Sequence, residues 1–474
     1  NFDGITYAKG ASVLKQLVYY VGREKFFQGI NQYLNKYAYS NATLADLLHE
    51  LEKASGRDLK AWSAKWLEES GINTIATEVE ENADGTIASL TLNQTAPAEH
   101  PVLRPHRLAV GFYDEDPATG KIVRTDRFEL DVDGESTVVA AAAGKKRPAF
   151  ILVNDDDLTY TKLRFDADSL SFALANLQRF DDALARAVVW LSLWDMTRDG
   201  DLAAEKFIDT TLALLATETE STTFRYALSC MSTTAWHYTA PDRRADVVKH
   251  VAKELWKLVI AAPGGSDQQF QLVTAYLGYG EEGDAEFAEH AQGLFDGSLI
   301  VAGLEIDNNF TWTIINALSS VKLIDQAGID AQLAKRDTTE NREFALGAHA
   351  VRGDAAAKEW AWNEALNNAD LTNMQLEAVA RGFGATPRPD LAEPYAAKYY
   401  DVVDWVWKNK SFHMAEALLE GLYPYYADPA TLVELGHRWL ADHEDADNAL
   451  KRIVRGNVES SQRTLKVRDF NAAL

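Results

Sequence analysis

Histidine spacing is where metal chemistry would first show in this sequence. His49-Glu50 begins as a zinc-binding His-Glu-x-x-His segment would, but Lys53 stands where the second imidazole is required. A helix brings two imidazoles onto one zinc only when they lie at i and i+4, so the pattern fails. His437 and His443 are six apart, and His237, His250, His290 and His349 are isolated; they read as solvent-facing or satisfied core histidines. No zinc site is expected from them. Asp131-x-Asp133-Gly134 and Asp155-Asp156-Asp157 lack the ligand spacing of a calcium loop, and solvated turn chemistry is the better reading of both. Cys230, between Ser229 and Met231 in a helical stretch, reads as a buried small apolar side chain rather than a nucleophile. A Gly-x-Ser-x-Gly elbow, a Walker loop and a Rossmann glycine fingerprint are absent. What remains is Tyr7-x-Lys9-Gly10, in which Tyr7 is, by residue type alone, an aromatic in a first helical turn.

The elements that must position these residues fall into three zones. From Tyr7 to Gly71 the period is helical: Val13, Leu14, Leu17, Val18 and Val21 make one stripe, closed by Gly22. Phe26, Phe27, Ile30, Tyr33, Leu34 and Tyr37 make a second, and Leu44, Leu47, Leu48 and Leu51 a third, opened by a Thr43-x-x-Asp46 capping box. A fourth helix carries Leu59, Trp62, Trp66 and Leu67. So much apolar surface on about 70 residues cannot bury itself, and the zone is expected to lean on something else.

From about Ile72 to Asp157 the period becomes two. Ile75, Thr77 and Val79 pair across an Asn82-Ala83-Asp84-Gly85 turn with the strand holding Ile87, Leu90 and Leu92. Further strands are expected at Arg107–Tyr113, Ile122–Leu130, Ser136–Ala141 and Ala149–Val153. They predict a small antiparallel β-sandwich. From Leu158 onward only helical periodicity is legible, with turn signals such as Pro263-Gly264-Gly265 and Asp428-Pro429. That spacing predicts an irregular array of helix pairs, an all-α superhelical domain of HEAT/armadillo-like type. Trp190, Trp194, Trp236, Trp256, Trp312, Trp360 and Trp362 are read as its packing.

Composition narrows the partners. In 474 residues, 47 basic and 71 acidic side chains give a net charge of −24, which argues against nucleic acid and an anionic membrane surface. The longest apolar run, Val138–Ala143, is far below the roughly 18 residues that span a bilayer. One cysteine permits no intrachain disulfide and makes a reducing compartment the simpler reading, with secretion neither needed nor excluded.

The segment Phe2-Asp3-Gly4-Ile5-Thr6-Tyr7-Ala8-Lys9-Gly10-Ala11-Ser12-Val13-Leu14 closely resembles the catalytic-tyrosine segment of the aminopeptidase N family of gluzincin zinc metallopeptidases. The stretches Leu152–Tyr160, Arg186–Asp195 and Leu391–Tyr400 look like the actinobacterial-type members of that family. The resemblance implies a helical tail of a thermolysin-like catalytic domain over 1–71, the sandwich over 72–157 and the helical domain, which caps the active-site chamber, over 158–474. It implies that Tyr7 donates a hydrogen bond to the oxyanion of the scissile carbonyl, a role that suits a preorganised donor aimed at developing charge. It assigns no chemistry to Lys9, and Gly10 is read as permitting close helix approach.

The family's zinc ligands, its general-base glutamate and its Gly-x-Met-Glu-Asn segment have no counterpart here. Together with Asn1 in place of methionine, this gives the expectation of a C-terminal fragment of a cytoplasmic zinc aminopeptidase. Zinc would belong to the parent, with none in this chain, and the fragment alone would be inactive. The expected partners are peptide substrates and the missing N-terminal half of the catalytic domain. The alternative is a non-catalytic helical-repeat module that binds a peptide or protein.

Overall fold

The computed structural model describes residues 5–474; Asn1 and the Phe2-Asp3-Gly4 start of the tyrosine segment lie outside the described residues. Its chain divides into two compact units, one ending at Met196 and the other running Thr197–Leu474. No helix of the described chain is long and apolar enough to cross a membrane.

In the first unit a π-helical turn, Ile5–Lys9, leads into α1 (Gly10–Val21). This helix buries Val13, Gln16, Leu17 and Val21 and leaves Leu14 exposed. The expected stripe is therefore rotated, because Gln16 finds inward hydrogen-bond partners that no apolar pattern reveals. Gly22 ends α1 at φ +86°, but its ψ of 130° is not the left-handed helical value expected there. Then come α2 (Arg23–Lys36), α3 (Leu44–Ser55) and α4 (Leu59–Ser63), the last continuing into a π-turn at Ala64–Glu68. Thr43 and Asp46 form the expected capping box at the start of α3. Val13, Leu17, Val21, Leu51, Trp62 and Trp66 pack together. The stripe on α2 fares differently: none of its residues is fully buried, Phe26 and Ile30 are partly covered, and Phe27 and Leu34 are exposed.

Seven strands follow: β1 (Thr74–Glu81), β2 (Ile87–Thr95), β3 (His106–Glu115), β4 (Ile122–Val132), β5 (Ser136–Val138), β6 (Phe150–Asp155) and β7 (Lys162–Arg164). They form two sheets, with orders β5-β2-β1-β7 and β4-β3-β6. The β1–β2 hairpin turns where expected, with Gly85 at φ +78° supplying the conformation that turn requires. Two expectations need correction. The fifth strand stops at Val138 and gives way to a 3-10 turn over Ala140–Ala142, as alanine has little preference for strand. The chain after Leu158 is not purely helical, nor is the pairing purely antiparallel: β7 lies parallel to β1, Ile75 opposite Leu163. Three residues paired with a strand some 88 positions earlier leave no readable period. Helix α5 (Ala167–Asn176) and most of α6 (Ala183–Asp199) complete the unit's order.

The second unit is helical from Ala204 to Ala472. Many of its helices start on an aspartate whose carboxylate accepts backbone N–H bonds, among them Asp284, Asp307, Asp325, Asp354, Asp428 and Asp447. Part of the acidic surplus thus serves as helix caps. The helices Asn308–Ser320, Thr339–Ala350, Asn373–Gly384 and Phe412–Gly421 pack in succession. Gly382 admits the Gly347 carbonyl to within 2.6 Å of where a Cβ would stand, so the backbones approach closely. The last helix, Asn448–Ala472, returns to the unit's first: Asn471 Oδ1 accepts from the Ala204 N–H at 2.8 Å, and Arg468 Nε donates to the His237 carbonyl at 2.7 Å.

Candidate functional site

Tyr7 stands in the π-helical turn and is 59 % exposed. Lys9 and Gly10, half-buried, join that turn to α1. What fixes α1 is a set of bonds to residues more than 140 positions away. Lys15 Nζ donates to the Asp156 carbonyl at 3.2 Å and to Asp157 Oδ2 at 3.1 Å. Gln16 Oε1 accepts from Thr159 Oγ1 at 2.7 Å and from the Tyr160 N–H at 3.1 Å. The Thr159 backbone is in turn clamped by Asn154, whose side chain accepts from its N–H and donates to its carbonyl, both at 2.9 Å.

The network runs deeper. His106, fully buried at the start of β3, sets Nδ1 2.7 Å from Thr159 Oγ1 and Nε2 3.1 Å from Gln94 Oε1. Burial, helped by the Arg104 cation, depresses its pKa to about 3 and keeps the ring neutral. Trp66 and His106 meet nearly perpendicular, ring centres 5.1 Å apart, and Trp66 donates its indole N–H to the Pro105 carbonyl. Arg104 reaches back to the carbonyls of Lys65, Glu69 and Ser70 at 2.8–2.9 Å. Helices and sheets of this unit are thus joined by directional bonds as well as by apolar contact.

The aspartate run is consumed by cations. Asp155, buried, accepts from Tyr113 Oη and Arg124 at 2.7 Å each; Asp156 accepts from Arg124 and Arg127; Asp157 holds Lys15. Positive φ at Asn154, Asp156 and Asp157 shows the tight turn these bonds support. Among the described residues, no three His, Cys, Asp or Glu side chains converge as a metal-binding group. Glu50, next to His49, is buried and accepts from Lys36 at 2.6 Å, with Lys53 at 3.6 Å. That pairing holds the carboxyl below its ordinary range.

The other histidines have separate partners: His443 lies 2.9 Å from Asp404, His437 3.1 Å from Gln462, and His349 stacks on Trp360 at 3.7 Å. Trp360 and Trp256 are half-buried beneath such histidines, while Trp190, Trp194, Trp236, Trp312 and Trp362 lie in the core. Cys230 is buried in the helix Ser221–Thr233.

Residues unmarked by any motif also emerge. Lys358 is buried, its Nζ within hydrogen-bond reach of the carbonyls of Ala350, Gly382 and Phe383 and of the Thr386 hydroxyl; burial lowers its pKa to about 7. Two adjoining cavities of about 540 and 430 Å³ lie along the helices Thr339–Ala350, Asn373–Gly384 and Phe412–Gly421, both lined by Arg381. Glu340, Glu343, Glu377, Glu416 and Glu420 line this groove with Arg381 and His413, Glu377 lying 3.2 Å from His413 and Glu416 3.3 Å from Arg452, so carboxylates outnumber the basic groups there. Period-two alternation with Leu108 and Val110 could have placed His106 inside. A polar residue between Val13 and Leu17 could likewise have marked Gln16.

Residues 150–463 match the ERAP1-like C-terminal domain family, and residues 1–66 match the peptidase family M1 domain. The chain is 39 % identical over 479 residues to Aminopeptidase N of Streptomyces lividans, a match covering all of this chain and 55 % of that relative. It is 32 % identical over 184 residues to the mitochondrial Aminopeptidase 2 of Saccharomyces cerevisiae, covering 36 % of this chain and 18 % of the relative. A match to Probable aminopeptidase 1 of Sulfurisphaera tokodaii, 42 % over 79 residues, covers 17 % of this chain and 10 % of the relative. The chain thus spans about half the length of the relative it matches throughout.

Proposed function

This chain belongs to the aminopeptidase N family of M1 peptidases, and from that premise we propose that it is the C-terminal part of a zinc-dependent aminopeptidase that removes N-terminal residues from peptides. The observation that carries the reading is the 39 % identity along the whole chain to a relative of about twice its length. In this reading residues 1–71 complete a thermolysin-like catalytic domain, 72–157 form a small β-sandwich, and 158–474 form a superhelical, HEAT/armadillo-like domain. The exposed apolar side chains Phe27, Leu34, Leu44 and Leu67 would be covered by the remainder of the catalytic domain.

Tyr7, exposed at the head of α1, is the group proposed to touch the reaction: its phenol donates a hydrogen bond to the oxyanion that develops on the scissile carbonyl. Zinc would supply Lewis-acid chemistry in the parent, its ligands contributed by residues other than those described. The acidic groove offers cationic peptides a wall to lie against. The proposed compartment is the cytoplasm, which suits a chain with a single cysteine, and neither nucleic acid nor membrane is among the proposed partners.

Turnover of an aminoacyl chromogenic substrate tests this. The full-length protein is expected to cleave it, to lose activity to a chelator and to lose about a hundredfold or more in kcat on Tyr7→Phe. The chain of 474 residues alone, with added zinc, is expected to do nothing. Turnover by the chain alone would overturn the fragment reading; a full-length protein without chelator-sensitive turnover would overturn the aminopeptidase reading.

A further inference from the structure

We propose that Lys15 and Gln16 are positioning residues for the reaction: by bonding α1 to the Asp156–Tyr160 segment they set the rotation and height of the helix whose leading turn presents Tyr7. The inference rests on the reading of Tyr7 given above and adds what holds that side chain in place.

Apolar contact alone cannot do this. Val13, Leu17 and Val21 are buried, but the hydrophobic effect is non-directional and tolerates small slides and rotations of a helix on its bed. Slipping by one residue turns a helix face by about 100°, and Tyr7 lies nine positions before Gln16, so a small rotation at the anchor redirects the tyrosine. Directional bonds remove that freedom. Gln16 Oε1 receives two of them, from a hydroxyl and a backbone N–H, while Lys15 adds two on the next position around the helix. The receiving segment is itself held by the Asn154 clamp, and the buried His106 ring lies 2.7 Å from the Thr159 hydroxyl.

Gln16 is a polar side chain in an otherwise apolar row, between Val13 and Leu17. Its Nε2, buried, makes no hydrogen bond. A buried donor left unpaired is unfavourable, and a leucine or methionine would fill the same space without one. What those residues lack is the acceptor. Lys15, only partly exposed, spans from α1 to the same turn as an independent second tether.

The test is a set of kinetic cycles in the full-length protein with an aminoacyl chromogenic substrate, using Tyr7→Phe, Gln16→Met, Lys15→Met and the doubles that combine each anchor change with Tyr7→Phe. If the anchors act through Tyr7, Gln16→Met lowers kcat about 10- to 100-fold and Lys15→Met about 3- to 10-fold, each with KM within about threefold. On the Tyr7→Phe background each then costs less than about twofold more, since the group being positioned is gone. Losses that multiply in the doubles, that fall in KM alone, or that do not occur in either anchor variant overturn the positioning role while leaving Tyr7's role intact. Should Gln16→Met fail to fold, Lys15→Met, at a part-exposed site, decides by the same criteria. Full kcat in Tyr7→Phe overturns the reading of Tyr7 itself and this inference with it.

Discussion

His106, fully buried, and His237, half-buried, are bases that desolvation keeps neutral, and their effect on stability has a definite sign. Each is depressed from 6.5 to about 3 in the folded chain, His237 by burial first and by Arg468 and Arg244 second. Between those values the unfolded chain holds a proton that the folded chain does not. Stability therefore falls as pH drops from about 6.5 toward 3, and is fully present above 6.5. The ring of His237 stacks on Tyr426 at 4.7 Å, a contact that phenylalanine can keep without titrating. His237→Phe is expected to lose less stability than the parent chain between pH 7 and pH 4, measured as the shift in urea midpoint. An equal shift would mean that His237 takes up no proton on unfolding. At this scale the sequence marked His237 only as an isolated histidine, because burial is a property of neighbours.

Elements were the most legible level. The capping box at Thr43 and Asp46 is written in four consecutive residues, and the structure forms both of its bonds. Thr43→Ala should lower stability by about 1 kcal/mol, read as a lower denaturant midpoint at unchanged slope. A loss under a few tenths would show that α3 is held by packing alone. The hairpin turn at Asn82–Gly85 was legible for the same reason, as its chemistry is local. Where an element answers to something distant, the reading failed. Leu14 and Gln16 exchange places relative to the stripe because the acceptor that matters serves Thr159 and Tyr160. β7 was invisible because a three-residue strand has no period of its own and exists through its pairing with β1.

For the helical unit as a whole, the contacts that close it join its two ends. Asn471, buried near the end of the last helix, accepts from the Ala204 N–H across 267 positions and donates to the carbonyl of Val467 and, at 3.4 Å, to that of Tyr238. It ties the end of the helical unit to its beginning. Asn471→Ala leaves a buried backbone donor unpaired and is expected to destabilise the unit by about 2 kcal/mol in denaturant unfolding. A change below about 0.5 kcal/mol would show that the return of the last helix rests on apolar packing. An array whose repeats met only their neighbours would have no such bond to lose.

The sequence by itself determined the local grammar of this protein: helical and strand periods, caps, the hairpin turn and the tyrosine segment that places the chain in its family. Periods, caps and the turn depend on residues within a few positions of one another, where spacing alone carries the physics, whereas the tyrosine segment was legible only as a resemblance. Tertiary structure alone decided which polar side chains turn inward, that Gln16 and Lys15 find the Asp156–Tyr160 segment, that β7 completes a sheet and that the last helix closes on the helix that begins at Ala204. Those outcomes rest on short, directional bonds between groups 88 to 267 residues apart. No periodicity encodes such pairs, because each partner acquires its value only once the fold has brought the other to it.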